Sequence, residues 1–210
     1  MKKLLIAALA LSVVSAAQAH EVWIERGANG KAQIWLGEPE KPIPAAGDPA
    51  FPMLKAPKLV PASTAAQTRG PGYIEVALPP GDVRAWDDNI FKPWTEDGKA
   101  AGGAYYARSG RAETKALMPL EIVPVAANGN TFTLIREGKP AAAGIPVTVV
   151  SPERWMMALE TDANGQFTVT TRESGRYIIK AEVKDEGDFA TPGGKVAILT
   201  RLTTTSFVAP

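Results

Sequence analysis

Thr161-Asp162-Ala163-Asn164-Gly165-Gln166-Phe167 is the stretch whose reading decides the fold. An Asx-rich run closed by glycine and followed by an aromatic reads as a tight turn joining two antiparallel strands. Asp162 and Asn164 offer side-chain oxygens to nearby backbone N–H groups, Gly165 supplies a positive φ, and Phe167 enters the next strand facing a core. Upstream, Gly138-Lys139-Pro140 and Gly144-Ile145-Pro146-Val147-Thr148-Val149 make the preceding turn and strand. Downstream, Ser174-Gly175-Arg176-Tyr177 opens another strand, with Tyr177 expected in the same core as Phe167.

The same rhythm extends in both directions. Strands are predicted over residues 120–125, 131–136, 145–150, 156–160, 166–171, 176–183 and 196–206, with turn signals at Asn128-Gly129, Glu137-Gly138, Asn164-Gly165 and Ser174-Gly175. A spacing of about ten residues between turns suits a β-sandwich. A single Asx-rich turn lacks the carboxylates that calcium requires, so Asp162 reads as a turn residue.

Toward the N-terminus the texture changes. Residues 22–24 and 32–36 alternate around Gly27-Ala28-Asn29-Gly30, and Asn-Gly between apolar runs predicts a hairpin. Prolines from Pro39 to Pro93 then punctuate a long irregular zone, residues 37–110, and predict loops with short strands such as 73–78 and 104–108 rather than helices or central strands. The expected architecture is therefore all-β: a loop-rich β region over 20–119, packed on a C-terminal Ig-like β-sandwich over 120–210. The aromatics Trp86, Phe91, Trp94, Tyr105 and Tyr106 of the irregular zone read first as fasteners of that zone to the sandwich, and second as a platform for a sugar or peptide.

Residues 1–19 have the three parts of a secretory signal: Lys2-Lys3, an apolar run over 4–14, and small residues ending Ala17-Gln18-Ala19. The apolar run falls short of the ~20 residues that span a bilayer. Cleavage after Ala19 would send the chain to the periplasm with His20 as its first residue, not membrane-spanning. The chain has no cysteine, so neither disulfides nor a lipid-attachment cysteine is available. With 23 Lys+Arg against 22 Asp+Glu the formal charge is +1, and losing Lys2 and Lys3 takes it slightly negative, which argues against nucleic acid as a partner.

Two resemblances follow from these motifs. The Gly-Lys-Pro, Thr-Asp-Ala-Asn-Gly-Gln-Phe and Ser-Gly-Arg-Tyr series over 138–177 resembles the prealbumin-like β-sandwich of carboxypeptidase regulatory domains. The order of a signal ending in Ala19-His20-Glu21, then Val22-Trp23-Ile24-Glu25, a Pro-rich middle, Leu120-Glu121-Ile122-Val123-Pro124 and a closing Leu199-Thr200-Arg201-Leu202-Thr203-Thr204 resembles a family of periplasmic proteins of unknown function associated with nickel and cobalt uptake. That resemblance implies metal transport, and as partners an inner-membrane metal permease or an outer-membrane receptor.

His20 is the single histidine. As a mature N-terminal residue, its α-amine and imidazole Nδ1 form one chelate, and such nitrogen donors suit Ni(II), Co(II), Cu(II) or Zn(II). A full copper brace needs a second imidazole, which the sequence lacks. Completing ligands would come from Glu21 first, then from Asp87, Asp88, Met156 or Met157. Of the methionine pair one is expected to fill the core, leaving the other for a soft metal such as Cu(I). No Cys nucleophile, G-x-S-x-G elbow or H-E-x-x-H motif is present, so the reading is non-enzymatic. The competing class is an adaptor of the cell envelope whose sandwich edge recruits a partner strand.

Overall fold

The structure is a computed structural model describing residues 20–210, and the expected signal at 1–19 lies outside them. It is all-β. In chain order the strands are β1 Glu21–Arg26, β2 Ala32–Gly37, β3 Lys58–Val60, β4 Gln67–Arg69, β5 Tyr73–Val76, β6 Val83–Asp87, β7 Trp94–Glu96 and β8 Lys99–Ser109. They continue as β9 Leu120–Pro124, β10 Thr131–Arg136, β11 Lys139–Pro140, β12 Pro146–Val150, β13 Met156–Glu160, β14 Gln166–Thr168, β15 Gly175–Thr191 and β16 Gly194–Ala209. A 3-10 turn, Phe51–Met53, is the one helical element among the described residues.

These strands form three sheets. An eight-stranded sheet runs β13-β12-β15-β16-β8-β6-β3, with β7 on β8; a four-stranded sheet runs β1-β2-β5-β4; another runs β11-β10-β14 with β9 on β10. The large sheet is the middle layer. Successive side chains of a strand point to opposite faces, and along β8 the two faces meet different cores. Ala104 and Tyr106 pack with Leu120, Ile122, Phe132 and Leu134 of the β9–β10 sheet. Tyr105 and Ala107 pack with Val22, Ile24, Ile34 and Ile74 of the β1–β2 sheet. A strand covered on both faces loses its apolar–polar alternation, and every residue from Ala101 to Ser109 is indeed buried.

β16 explains why a run of hydroxyls can be buried between two apolar cores. Thr204 Oγ1 donates to Val22 O at 2.7 Å and Ser206 Oγ donates to Ile24 O, both on β1. From the opposite face Thr205 Oγ1 donates to Ile122 O of β9 at 2.8 Å. β1 and β9 each have a ladder partner on one side only. Thr204, Thr205 and Ser206 therefore satisfy strand carbonyls that would otherwise be left without donors inside the protein.

The deciding turn forms as its chemistry requires. Asp162 Oδ1 accepts from Asn164 N and Gln166 N, each at 2.8 Å, and Gly165 has φ +69°. Phe167 and Tyr177 are buried in one core. The Tyr177 hydroxyl reaches back to accept from Arg172 N and Glu173 N at 3.0 and 3.1 Å, holding the corner before β15. The N-terminal hairpin also forms, with Ile24 opposite Ile34.

One expectation is corrected. The proline-punctuated zone was predicted to hold no central strand, yet β8 lies between β16 and β6. The prolines end at Pro93, and residues 99–109 carry none, so the backbone donors needed for pairing on both sides are intact. β8 pairs with β16 in parallel, Leu202 opposite Tyr105, so residues on both sides of position 120 share one sheet.

A buried ion cluster fixes the 110–119 connection to the middle sheet. Arg84 and Arg108 are cross-strand neighbours on β6 and β8. Between them Glu121, fully buried, accepts Arg84 Nε at 2.6 Å and Arg108 Nη1 at 2.9 Å through Oε1, and Leu117 N at 2.7 Å and Met118 N at 3.1 Å through Oε2. No helix among the described residues is long and apolar enough to cross a membrane.

Candidate metal site at the start of the first strand

His20 immediately precedes β1, and its ring is held by the Pro-rich loop between β2 and β3. His20 Nε2 lies 3.1 Å from Asp48 Oδ1. A carboxylate accepts and does not donate, so Nε2 is the donor in this bond. The ring also sits 6.1 Å, centroid to centroid, from Phe91, which in turn packs on Tyr105 at 5.8 Å. Asp48 is itself held in place. The same Oδ1 accepts Ala50 N at 2.7 Å, and Asp48 O accepts Phe51 N at 2.9 Å. The loop closes tightly behind it: Gly47 has φ +86°, and a Cβ there would fall 2.2 Å from Gly72 Cα.

The consequence is chemical. With a neutral ring donating through Nε2, the lone pair belongs to Nδ1, the nitrogen that closes a chelate with the residue's own α-nitrogen. A carboxylate bonded to the distal ring nitrogen is the arrangement that orients histidine ligands and raises their basicity in metal sites. Asp48 was not among the sequence candidates. Its signal was faint: Gly47-Asp48-Pro49 reads as a turn, and nothing local ties it to a residue 28 positions earlier.

The other candidates lie elsewhere. Glu21, next in the strand, is committed to different partners: its Oε1 accepts Lys180 Nζ at 2.7 Å, and Lys180 also donates to Glu40 at 3.2 Å. Its Oε2 is buried without a hydrogen-bond partner among the described residues. Burial pushes the Glu21 carboxyl up to about 7 despite the pull of Lys180, with Glu40 and Glu38 adding repulsion. Lys180 is raised as well, because the two carboxylates outweigh its own burial. Asp87 is buried at the end of β6, accepting Asn89 N at 2.8 Å, and burial raises its pKa. Asp88 pairs with Lys58 at 3.1 Å. Met157 packs against the core while Met156 is exposed on the edge strand β13, the division expected of that pair. Among the described residues no three His, Asp or Glu side chains converge to hold a metal ion. A cation at His20 would thus take the imidazole and, after cleavage, the α-amine from the chain, and fill its remaining positions from water or a partner.

The aromatic cluster divides in the same way. Tyr105 and Tyr106 are buried in opposite cores, and Trp86 stacks on Tyr106 at 6.2 Å beneath Lys58. Phe91 packs on one core and Trp86 on the other, so these rings fasten the irregular zone to the middle sheet. The chain matches no protein-family model, and no curated protein matches it.

Proposed function

We propose that this protein is a periplasmic accessory component of transition-metal uptake, which binds a divalent cation such as nickel, cobalt or copper weakly through the mature N-terminal His20 and passes it to an inner-membrane permease or outer-membrane receptor. The observation that supports this reading is the bond from His20 Nε2 to Asp48 Oδ1, which holds the ring through its distal nitrogen. A chelate of this kind, with few protein ligands, suits a cargo that must be released again. It also requires that nothing precede His20.

The test is a calorimetric titration of the protein beginning at His20 with Ni(II), Co(II), Cu(II) and Zn(II), beside a version carrying one extra N-terminal residue and an Asp48→Asn variant. Binding is expected in the first, absent in the extended version, and weakened about 10- to 100-fold by Asp48→Asn. Equal binding by all three, or none by any, would retire the proposal in favour of an adaptor role.

A further inference from the structure

A second site lies at the opposite end of β1. Where β1, β8 and β16 finish and β15 begins, a cavity of about 590 Å³ opens between the layers. That is within the size range of small-molecule pockets, about 300–1,000 Å³. Arg26, Arg111 and Arg176 line it, together with Glu25 and Asp82.

The charges there do not cancel. Asp82 is paired with the buried Arg108, and Glu25 with Arg176. Among the described residues neither Arg26 nor Arg111 has a carboxylate partner. Arg26 is held by carbonyls, its two terminal nitrogens donating to Gly30, Leu78, Pro79 and Gly81, so it contributes charge and anchors the wall. Arg111 is different. Its guanidinium lies 4.3 Å over the Phe207 ring and, among the described residues, donates only through Nη1, to Gly129 O and Asn130 Oδ1. Nε and Nη2 of Arg111 remain as donors on a stacked, preoriented group. Burial lowers the Arg111 pKa, the direction expected of a cation held away from water without a counter-ion.

We propose that this cavity is a binding site for a small organic monocarboxylate with an apolar body, its carboxylate on Arg111 and its body against Val208. Val208 is 71% exposed while lining the cavity, an apolar side chain with nothing yet covering it. With Asp82 taken up by Arg108 and Glu25 by Arg176, Arg111 is left to match one negative charge, so a monoanion fits better than a dianion such as phosphate. This site is independent of the His20 proposal.

Calorimetric titration with benzoate, succinate and inorganic phosphate tests it. Benzoate should bind with a Kd below about 1 mM, ahead of both dianions. Arg111→Gln should weaken it about tenfold or more, the loss expected for a charge-assisted, bidentate contact. Because Arg111 also ties down the β9–β10 turn, Val208→Asp is the second variant: at an exposed position it leaves folding intact but places a negative charge at the mouth, and it should weaken benzoate at least as much with an unchanged unfolding midpoint. No benzoate binding, parent-like binding in either variant, or tighter binding of phosphate than benzoate would overturn the proposal.

Discussion

Glu121→Gln removes the charge at the centre of the buried cluster while keeping its shape, and the loss can be worked out from the contacts. The carboxylate accepts four hydrogen bonds, two from guanidiniums and two from backbone N–H groups. A glutamine has one acceptor oxygen and one donor nitrogen, so whichever way it turns, two buried donors face a third. Each donor left without an acceptor costs about 1–3 kcal/mol. Electrostatic compensation survives in part, because Arg108 keeps Asp82, which is buried, whereas the Glu113 partner of Arg84 is half-exposed and contributes less. The sum is about 4 kcal/mol, inside the 3–5 kcal/mol range for breaking a buried ion pair. That is a large share of the ~5–15 kcal/mol that holds a domain together. Urea unfolding followed by tryptophan fluorescence reads it as a lowered midpoint with an unchanged slope. A loss below about 1 kcal/mol would show that desolvation of the three ions already offsets their attraction, and the reasoning would fail.

Two further outcomes are expected. Glu21 is held at about 7 when folded against 4.5 when unfolded, so the folded state binds the extra proton. Its contribution is fully present below about pH 4.5 and is lost as pH rises through 7, by about 3 kcal/mol. Relative to Glu21→Gln, which cannot titrate, the parent should therefore lose stability over that window in chemical unfolding; parallel pH profiles would refute the assignment. Gly47→Ala combines a positive φ with a clash against Gly72, and should cost about 1–3 kcal/mol and displace Asp48. Thermal unfolding and metal titration should both register it, and an unchanged metal affinity would mean that the loop does not position His20.

How much of this was legible in the sequence varies with how local the cause is. The hairpin 22–36, the strand at 131–136 and the turn at 161–167 were legible because alternation, Asn-Gly and Asx chemistry are written in neighbouring residues. For β8 only the segment 104–108 was legible, not its start at Lys99 or its central place, because the strand is covered on both faces and shows no alternation, and its partner β16 lies far along the chain in parallel pairing. β15 also runs on past the predicted 183, since its outer half, largely polar and exposed around Gly187, pairs with the start of β16 as a two-stranded ribbon. At the candidate site His20 was legible from its position after Ala19. Asp48 was not, because its role depends on a loop closure between Gly47 and Gly72 that only the folded chain brings about.

The place of β16 also sets a timetable. Among the strands of the described residues it is synthesised after all the others, yet it sits between β15 and β8, and its hydroxyls reach carbonyls 182 residues earlier. A nascent chain can zip its N-terminal hairpin early, but two long strand edges stay bare until the final segment emerges. Such edges are where chains cross-pair and aggregate. Closure of the middle sheet thus waits for β16, and the edges of β15 and β8 that it covers are the ones open to cross-pairing until then.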